Sequence, residues 1–512
     1  MTEPDSPAVI ACPGDVFAFP LERIGRHGAC QVVAVDDARA IATVAVLAWA
    51  GTTAPEITAL ADVPRMVRDF MFWTPAEVLK NVPVEVPAEY VRIGTLPVTG
   101  DTATRSYDAW DFAPDVIRQC RWDALPSETT AAFRTALESE ETVTMPGLTY
   151  SDSGAQYESR LLAACAFSDD AGYYSVGEDF RMESLRAWPA LYQVALRSWR
   201  DDLLPFLESS PLVKELTLTR HGQREIDLSR TGLERLTIDI TGLERLVLPP
   251  CLDLLNLQST GGDVGSDLHV VADDAGRWIT VHLTGSVPTV HGLERAHGLR
   301  IGAIENLDVS DVAEHFPSVT WLHLFGTPGL LRNLDGLQAL PRLTALWICD
   351  LFGYGPDGFP GPDELPTLTS LDLDSVPAEV VARVRARYKK APNVELTVRR
   401  PRKPEWLAEN LENPLRRWDG RDGIPRTVAK KARAAFVAAL RQIRDDSPTD
   451  ENTVTAAATG FLDTIAGLNR KHQFLYTLER DEVIDAVNAL TAGLSPEAHR
   501  VLEPLIEEAL DD

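Results

Sequence analysis

The stretch GLERLTIDITGLERLVL at 232–248 carries the phrase Gly-Leu-Glu-Arg-Leu twice, at 232–236 and 242–246. A period that short leaves few folds open. Written as L-x-x-L-x-L, the pattern also fits Val213/Leu216/Leu218, Leu233/Leu236/Ile238, Leu243/Leu246/Leu248 and Leu252/Leu255/Leu257. Ile226/Leu228 keep the same phase, with Gln223 in the first slot. Apolar residues alternating at period two denote strand. A crossover helix takes about a dozen residues or more, so a decad has no room for one. Each decad is expected to be one short strand and one turn, and two decads one coil with a strand on each side. A single repeat cannot bury its own apolar face, whereas stacked neighbours bury it together.

The pattern then lengthens. Val319/Leu322/Leu324, Leu343/Leu346/Ile348 and Leu368/Leu371/Leu373 follow one another at spacings of 24 and 25. SVTWLHLFG, RLTALWICD and TLTSLDLDS resemble leucine-rich repeats, whose period is roughly 20–29 residues. The Asn or Cys that usually follows the core is absent or displaced, so the repeats are degenerate. LHVV (268–271), WITVHL (278–283) and LRIGAI (299–304) are weaker members, and NVELTV (393–398) is the expected last strand. The whole chain is also similar in style to uncharacterised leucine-rich-repeat proteins of actinobacteria, a resemblance that implies a fold and no activity.

Residues between the core leucines face outward on such a ladder. His282, His323, Phe325, Trp347, Asp372 and Asp374 are therefore the protein-binding candidates; Cys349 shares their outward side, and Thr217 and Thr237 lie further back on it. Exposed aromatic side chains make interface anchors. The bland alternative is that Phe325 and Trp347 pack against flanking segments. The insertion LFGYGPDGFPGPDELP (351–366) reads as a loop.

The flanks differ. GDVFAFPL (14–21), GACQVVAVDD (28–37) and AIATVAVLAW (40–49) predict a small, bent antiparallel sheet or barrel. PGDVFAFPLER, a glycine turn and GACQVVAVDD resemble the opening of immunity protein family 26. Members of that family are associated with bacterial polymorphic-toxin systems and are inferred to neutralise a toxin. The resemblance spans the first 40 to 90 residues and transfers no catalytic residue. PSETTAAFRTALESEE (126–141) predicts a helix capped by Ser127 or Thr129, and 185–211 predicts helical or partly helical segments that lead into the first repeat and cap it. After a break at PRKPEW (401–406), helices are expected at 426–444, 453–468, 478–490 and 495–510, with Ser495–Pro496 opening the last and Pro504 kinking it. The expected fold class is α+β multidomain, with a leucine-rich-repeat-like β-solenoid between an N-terminal antiparallel β domain and a C-terminal helical bundle. Its boundaries are 1–105, 106–210, 211–400 and 401–512.

Charge narrows the partner. The net charge is −27, and residues 1–210 hold 31 acidic against 16 basic side chains. Such a chain repels phosphate backbones, so no nucleic acid is expected. A basic, toxin-like protein would be attracted. No apolar run reaches the length of a membrane span and no basic leader opens the chain, so the expected location is cytoplasmic, away from membranes. Six scattered cysteines form no CxxC pair. HExxH, GxSxG and Walker motifs are missing, and no GxGxxG is read as following a strand. STGGDVGSD (259–267) lacks the lysine of a phosphate cradle and reads as a loop. His282 and His323 fall about one coil or more apart, so no metal and no cofactor is expected. KKARAAFVAALRQIR reads as a solvated helix face. The resulting expectation is a non-enzymatic protein-binding protein, with a toxin antagonist as its sharper form. The alternatives are an enzyme whose site lies in 60–210, around DFMFWTPAEV and YDAWDFAPD, or a scaffold subunit of a larger assembly.

Overall fold

The computed structural model describes residues 9–152, 155–157, 159–169, 174–259, 267–411, 413–446, 450–492, 494, 502–507 and 509. The chain divides into two compact units, 1–222 with 228–236 and 223–227 with 237–512. Most of the glycine-rich stretch 259–267 and the expected Ser495–Pro496 cap lie outside the described residues.

The first unit opens on a five-stranded antiparallel sheet ordered Leu79–Pro83, Ile41–Gly51, Arg26–Asp36, Asp15–Leu21 and Val91–Thr95. Both of its faces are covered. Phe17, Phe19, Leu21, Val32, Val44 and Val46 enter one core, and Val16, Ala29, Leu47 and Leu60 the other. That is why the strands read as nearly continuous apolar runs. Register shifts at Gly28/Cys30 and Val32/Ala34 interrupt the central pairing, as bulges that bend a sheet do.

Two helices follow, Ala113–Asp123 and Ser127–Leu137. The second is not capped by Ser127 or Thr129. Pro126 holds the cap position, and its carbonyl accepts the Thr129 N–H at 2.9 Å. The segment 185–211 is helical only in part, and its middle is corrected to strand. Gln193–Leu196 is a strand, flanked by a short 3-10 turn at Met182–Ala187 and a helix at Leu203–Glu208. Val194 and Leu196 pair in parallel with Leu216 and Leu218, and Phe167 pairs with Val194. Leu191-x-x-Val194-x-Leu196 thus belongs to the repeat, which begins before residue 213.

In the second unit, successive strands alternate between two parallel sheets. Glu225–Asp227, Arg245–Val247, Leu268–Val271 and Val290–His291 form a four-stranded sheet. Leu254–Gln258, Thr280–Thr284, Gly298–Asp308, Trp321–Arg332, Ala345–Phe352, Ser370–Asp374 and Glu395–Arg399 pair in that order in the larger one. Ile226 pairs with Leu246, twenty positions on, so two decads separate neighbours in one sheet. Where the period lengthens, helical segments at Val309–His315, Leu334–Ala339 and Ala378–Tyr388 take the place of the second strand.

Leu322, Leu346, Leu371 and Leu396 are direct cross-strand neighbours. Leu322, Leu324, Leu346, Ile348, Leu371 and Leu373 are at most 2% exposed. Full burial of such a side chain is worth roughly 1.5–3 kcal/mol. The expected loop at 351–366 begins later than read, because Leu351 and Phe352 complete a strand and Phe359 is buried.

The break at 401–406 is shorter than expected, since Pro404 starts a helix to Asn410. Proline suits a first helical position, whose N–H has no intrahelical partner anyway. Helices Arg426–Asp446, Glu451–His472 and Thr477–Thr491 share a core of Trp418, Val428, Ala432, Phe436, Phe461, Ile465 and Val487. Lys430, Lys431, Arg441 and Arg444 point to solvent from the first of these helices. Among the described residues, no helix is long and apolar enough to cross a membrane.

Candidate functional site

Side chains that alternate with the core leucines stand on the opposite face of the larger sheet. Register sets Asn256, His282, Arg300, His323, Trp347, Asp372 and Thr397 in one row across seven strands. A second row, two residues further along, holds Phe325, Cys349, Asp374 and Arg399. A third, two residues earlier, brings Trp321 beside Ala345 and Ser370.

An aromatic cluster occupies the middle of this face. His323 lies 4.6 Å from Trp321, 6.1 Å from Phe325 and 5.3 Å from Trp347, between ring centroids. The four side chains are half-buried, so they brace one another and still present ring surface to solvent. Two guanidinium groups flank the cluster. Arg300 sits 4.8 Å above Phe325, and Arg399 lies 5.7 Å from Trp347 while donating to Asp372 at 2.9 Å. Cation–π contacts of this kind hold a guanidinium in place while leaving edge donors available. The Trp347 indole N–H has no acceptor among the described residues.

Electrostatics on the face follow from burial. The His282 and His323 imidazoles are held below their ordinary value of 6.5, first by burial and then by the Arg300 charge between them. Both are therefore neutral at pH 7. Burial pushes the Cys349 thiol up to about 12, so it is a weak nucleophile.

The structure brings His323, Phe325, Trp347 and Asp372 together. His282 stands two strands from His323, about 10 Å away at ordinary strand spacing. Asp374 is only 6% exposed, and both its carboxylate oxygens are taken by Arg400, at 2.8 and 2.5 Å. It belongs to an arginine–aspartate cluster that ties the strand ladder to the helices. In that cluster Arg402 donates to Ser375 at 2.8 Å and pairs with Asp419, which Arg433 approaches at 3.2 Å. Arg416 and Arg417 reach the carbonyls of Thr327 and Gly326. Sequence reasoning missed Arg300, Trp321 and Arg399. Arg300 was readable as the outward residue between Leu299 and Ile301, whereas Arg399 required the register.

These observations define a leucine-rich-repeat-like ladder of parallel strands that presents an aromatic face. No family model matches the chain, and no curated protein matches it. Among solved structures, the chain is similar to internalin C2 from Listeria monocytogenes, at 14% identity over 49% of this chain and 92% of that one, with a TM-score of 0.20. It is also similar to a chain of the LRIM1/APL1C complex, at 13% identity over 63% of this chain and 66% of that one, with a TM-score of 0.23. Likeness at that level carries no argument, and the repeat character rests on the chain's own strand ladder.

Proposed function

We propose that the chain is a non-catalytic protein-binding protein that grips its partner with the Trp321–His323–Phe325–Trp347 face. The interlocked, half-buried aromatic cluster between Arg300 and Arg399 is the observation that carries this reading. Tryptophan, tyrosine and arginine dominate interface energetics, because rigid rings and forked cations gain contact at little entropic cost. His282 and Asp372 flank the anchors, and Asp374, paired with Arg400, stands in the row of Phe325 and Cys349. The partner is another protein, and six free thiols suit a reducing compartment such as the cytoplasm.

The finer reading is antagonism of a basic, toxin-like protein. It draws on the net charge of −27 and on the N-terminal resemblance to immunity protein family 26. On the ladder face itself, Asp372 and Asp374 are paired with Arg399 and Arg400, so aromatic anchors and not an acidic groove would make the contact.

The test is capture from native lysate, at low and at high salt, by the wild-type protein and by the Phe325→Ala/Trp347→Ala variant. A stoichiometric protein retained by the wild type and lost by the variant supports the reading. Equal capture by both would sink it. Loss of that protein at high salt would favour the basic partner.

A further inference from the structure

The segment DFMFW (69–73) gathers three aromatic residues in the first unit. Phe70 turns inward, at 6% exposure, while Phe72 and Trp73 stay 47% and 48% exposed. Met71 between them holds φ at 52°, a left-handed backbone that a residue with a side chain adopts only under constraint. With Trp122, Leu125 and Tyr192 these rings line a cavity of about 220 Å³. Phe72 meets Tyr192 edge to face at 5.5 Å.

Most of the remaining lining is cationic. Arg118 and Arg121 lie three residues apart on the helix Ala113–Asp123 and so share a face. Lys214 and Arg235 stand at the entries of two successive repeats, where the Glu234 and Arg235 N–H groups donate to the Lys214 carbonyl at 2.8 and 3.0 Å. Glu234 is the one carboxylate of the lining, 3.9 Å from Arg118, 3.9 Å from Arg121 and 3.7 Å from Lys214. Direct charge-assisted hydrogen bonds run about 2.7–2.9 Å, so a single carboxylate is shared loosely among three cations. Arg235 pairs with Glu215 at 3.2 Å. Arg121, Lys214 and Arg235 thus meet two carboxylates, Glu234 and Glu215, in a chain whose net charge is −27.

We infer that this cavity is a binding site for a small aromatic anion, a ring bearing a phosphate or carboxylate group. Phe72, Trp73 and Tyr192 would take the ring, and Arg121 and Lys214 the anion. The volume falls below the roughly 300–1,000 Å³ of sites for larger ligands, which suits one ring and one charged group. The cavity belongs to the first unit and the aromatic face of the ladder to the second, and the inference does not depend on the partner reading.

Isothermal titration of the full chain tests it, with phenyl phosphate and benzoate as probes and inorganic phosphate and benzylammonium as controls. Saturable one-to-one binding of at least one aromatic anion is expected, roughly 10-fold or more tighter than inorganic phosphate, with no comparable binding of benzylammonium. Lys214→Met should weaken the better probe by about 10-fold, the value of one lost charge-assisted contact. Trp73→Ala, at an exposed ring, should weaken it without changing the melting temperature. The inference is overturned if neither aromatic anion binds more tightly than inorganic phosphate, if benzylammonium binds equally, or if both folded variants keep wild-type affinity.

Discussion

Phe325 and Trp347, on neighbouring strands, meet edge to face with ring centroids 4.9 Å apart and planes at 69°. The pair is diagonal, since Trp347 is in register with His323 and Phe325 with Cys349. Edge-to-face pairs are worth about 0.5–1.5 kcal/mol beyond the area they bury. A double-mutant cycle with Phe325→Ala and Trp347→Ala, followed by urea unfolding, should return a coupling of that size. Additive single effects would show that the rings are neighbours without interacting.

Asp372 and Asp374 lie two residues apart and should differ in what their removal costs. The Asp374 side chain is 8% exposed in its pair with Arg400, and removing one partner of a buried pair costs roughly 3–5 kcal/mol. Asp372 pairs with Arg399 at side-chain exposures of 29% and 52%, and exposed pairs contribute about 0–1 kcal/mol. Denaturation midpoints of Asp374→Ala and Asp372→Ala should separate accordingly. Equal losses would contradict the assignment of Asp374 to the junction.

The two histidines of the face make stability depend on pH in a definite direction. Burial and Arg300 hold His282 and His323 below 6.5, although Asp372 opposes the shift at His323. Below the unfolded value the unfolded chain binds protons that the native chain refuses. Their contribution is therefore complete above about pH 6.5 and is lost as pH falls below it toward the lower native values. The wild type should lose more stability between about pH 7.5 and about pH 5 than the His282→Gln/His323→Gln variant does. A parallel pH dependence in the two proteins would remove the histidines as the cause.

Cys349 shares the face yet should resist alkylation. Its thiol is raised to about 12 by burial, whereas Cys165 is exposed. Peptide mapping after a brief iodoacetamide pulse should find Cys165 labelled well before Cys349. Faster labelling at Cys349 would mean that the face opens more than its packing implies.

In the helical part, Phe436 is 2% exposed and meets Phe461 edge to face at 6.0 Å. Truncating a buried phenylalanine costs about 3–5 kcal/mol, so Phe436→Ala should lower the melting temperature sharply. Lys430→Ala and Lys431→Ala, on the exposed face of the same helix, should each stay within about 0.5 kcal/mol of wild type in urea titrations.

Much of the ladder was legible in the chain. Leu322, Leu324, Leu346, Ile348, Leu371 and Leu373 alternate at period two, and that period alone decides which side chains face the core. The same alternation placed His323, Phe325, Trp347 and Asp372 on the outward side. It did not reveal the earlier repeat at Leu191/Val194/Leu196, because the surrounding LRAWPALYQVAL also satisfies a helical spacing. Nor did it separate Asp374 from Asp372, which share a strand and a phase. Their difference comes from Arg400, twenty-six residues downstream of Asp374 and brought back by the turn into the helical part.

The sequence by itself determined that strands repeat and which way each side chain points, because both follow from interactions between residues a few positions apart. Tertiary structure decided what each outward side chain meets. The row from Asn256 to Thr397, the guanidinium groups beside Phe325 and Trp347, and the four cations around the cavity behind Phe72 all depend on register between distant segments. Register is set by loop lengths and by the closure of the whole stack, which no local period encodes.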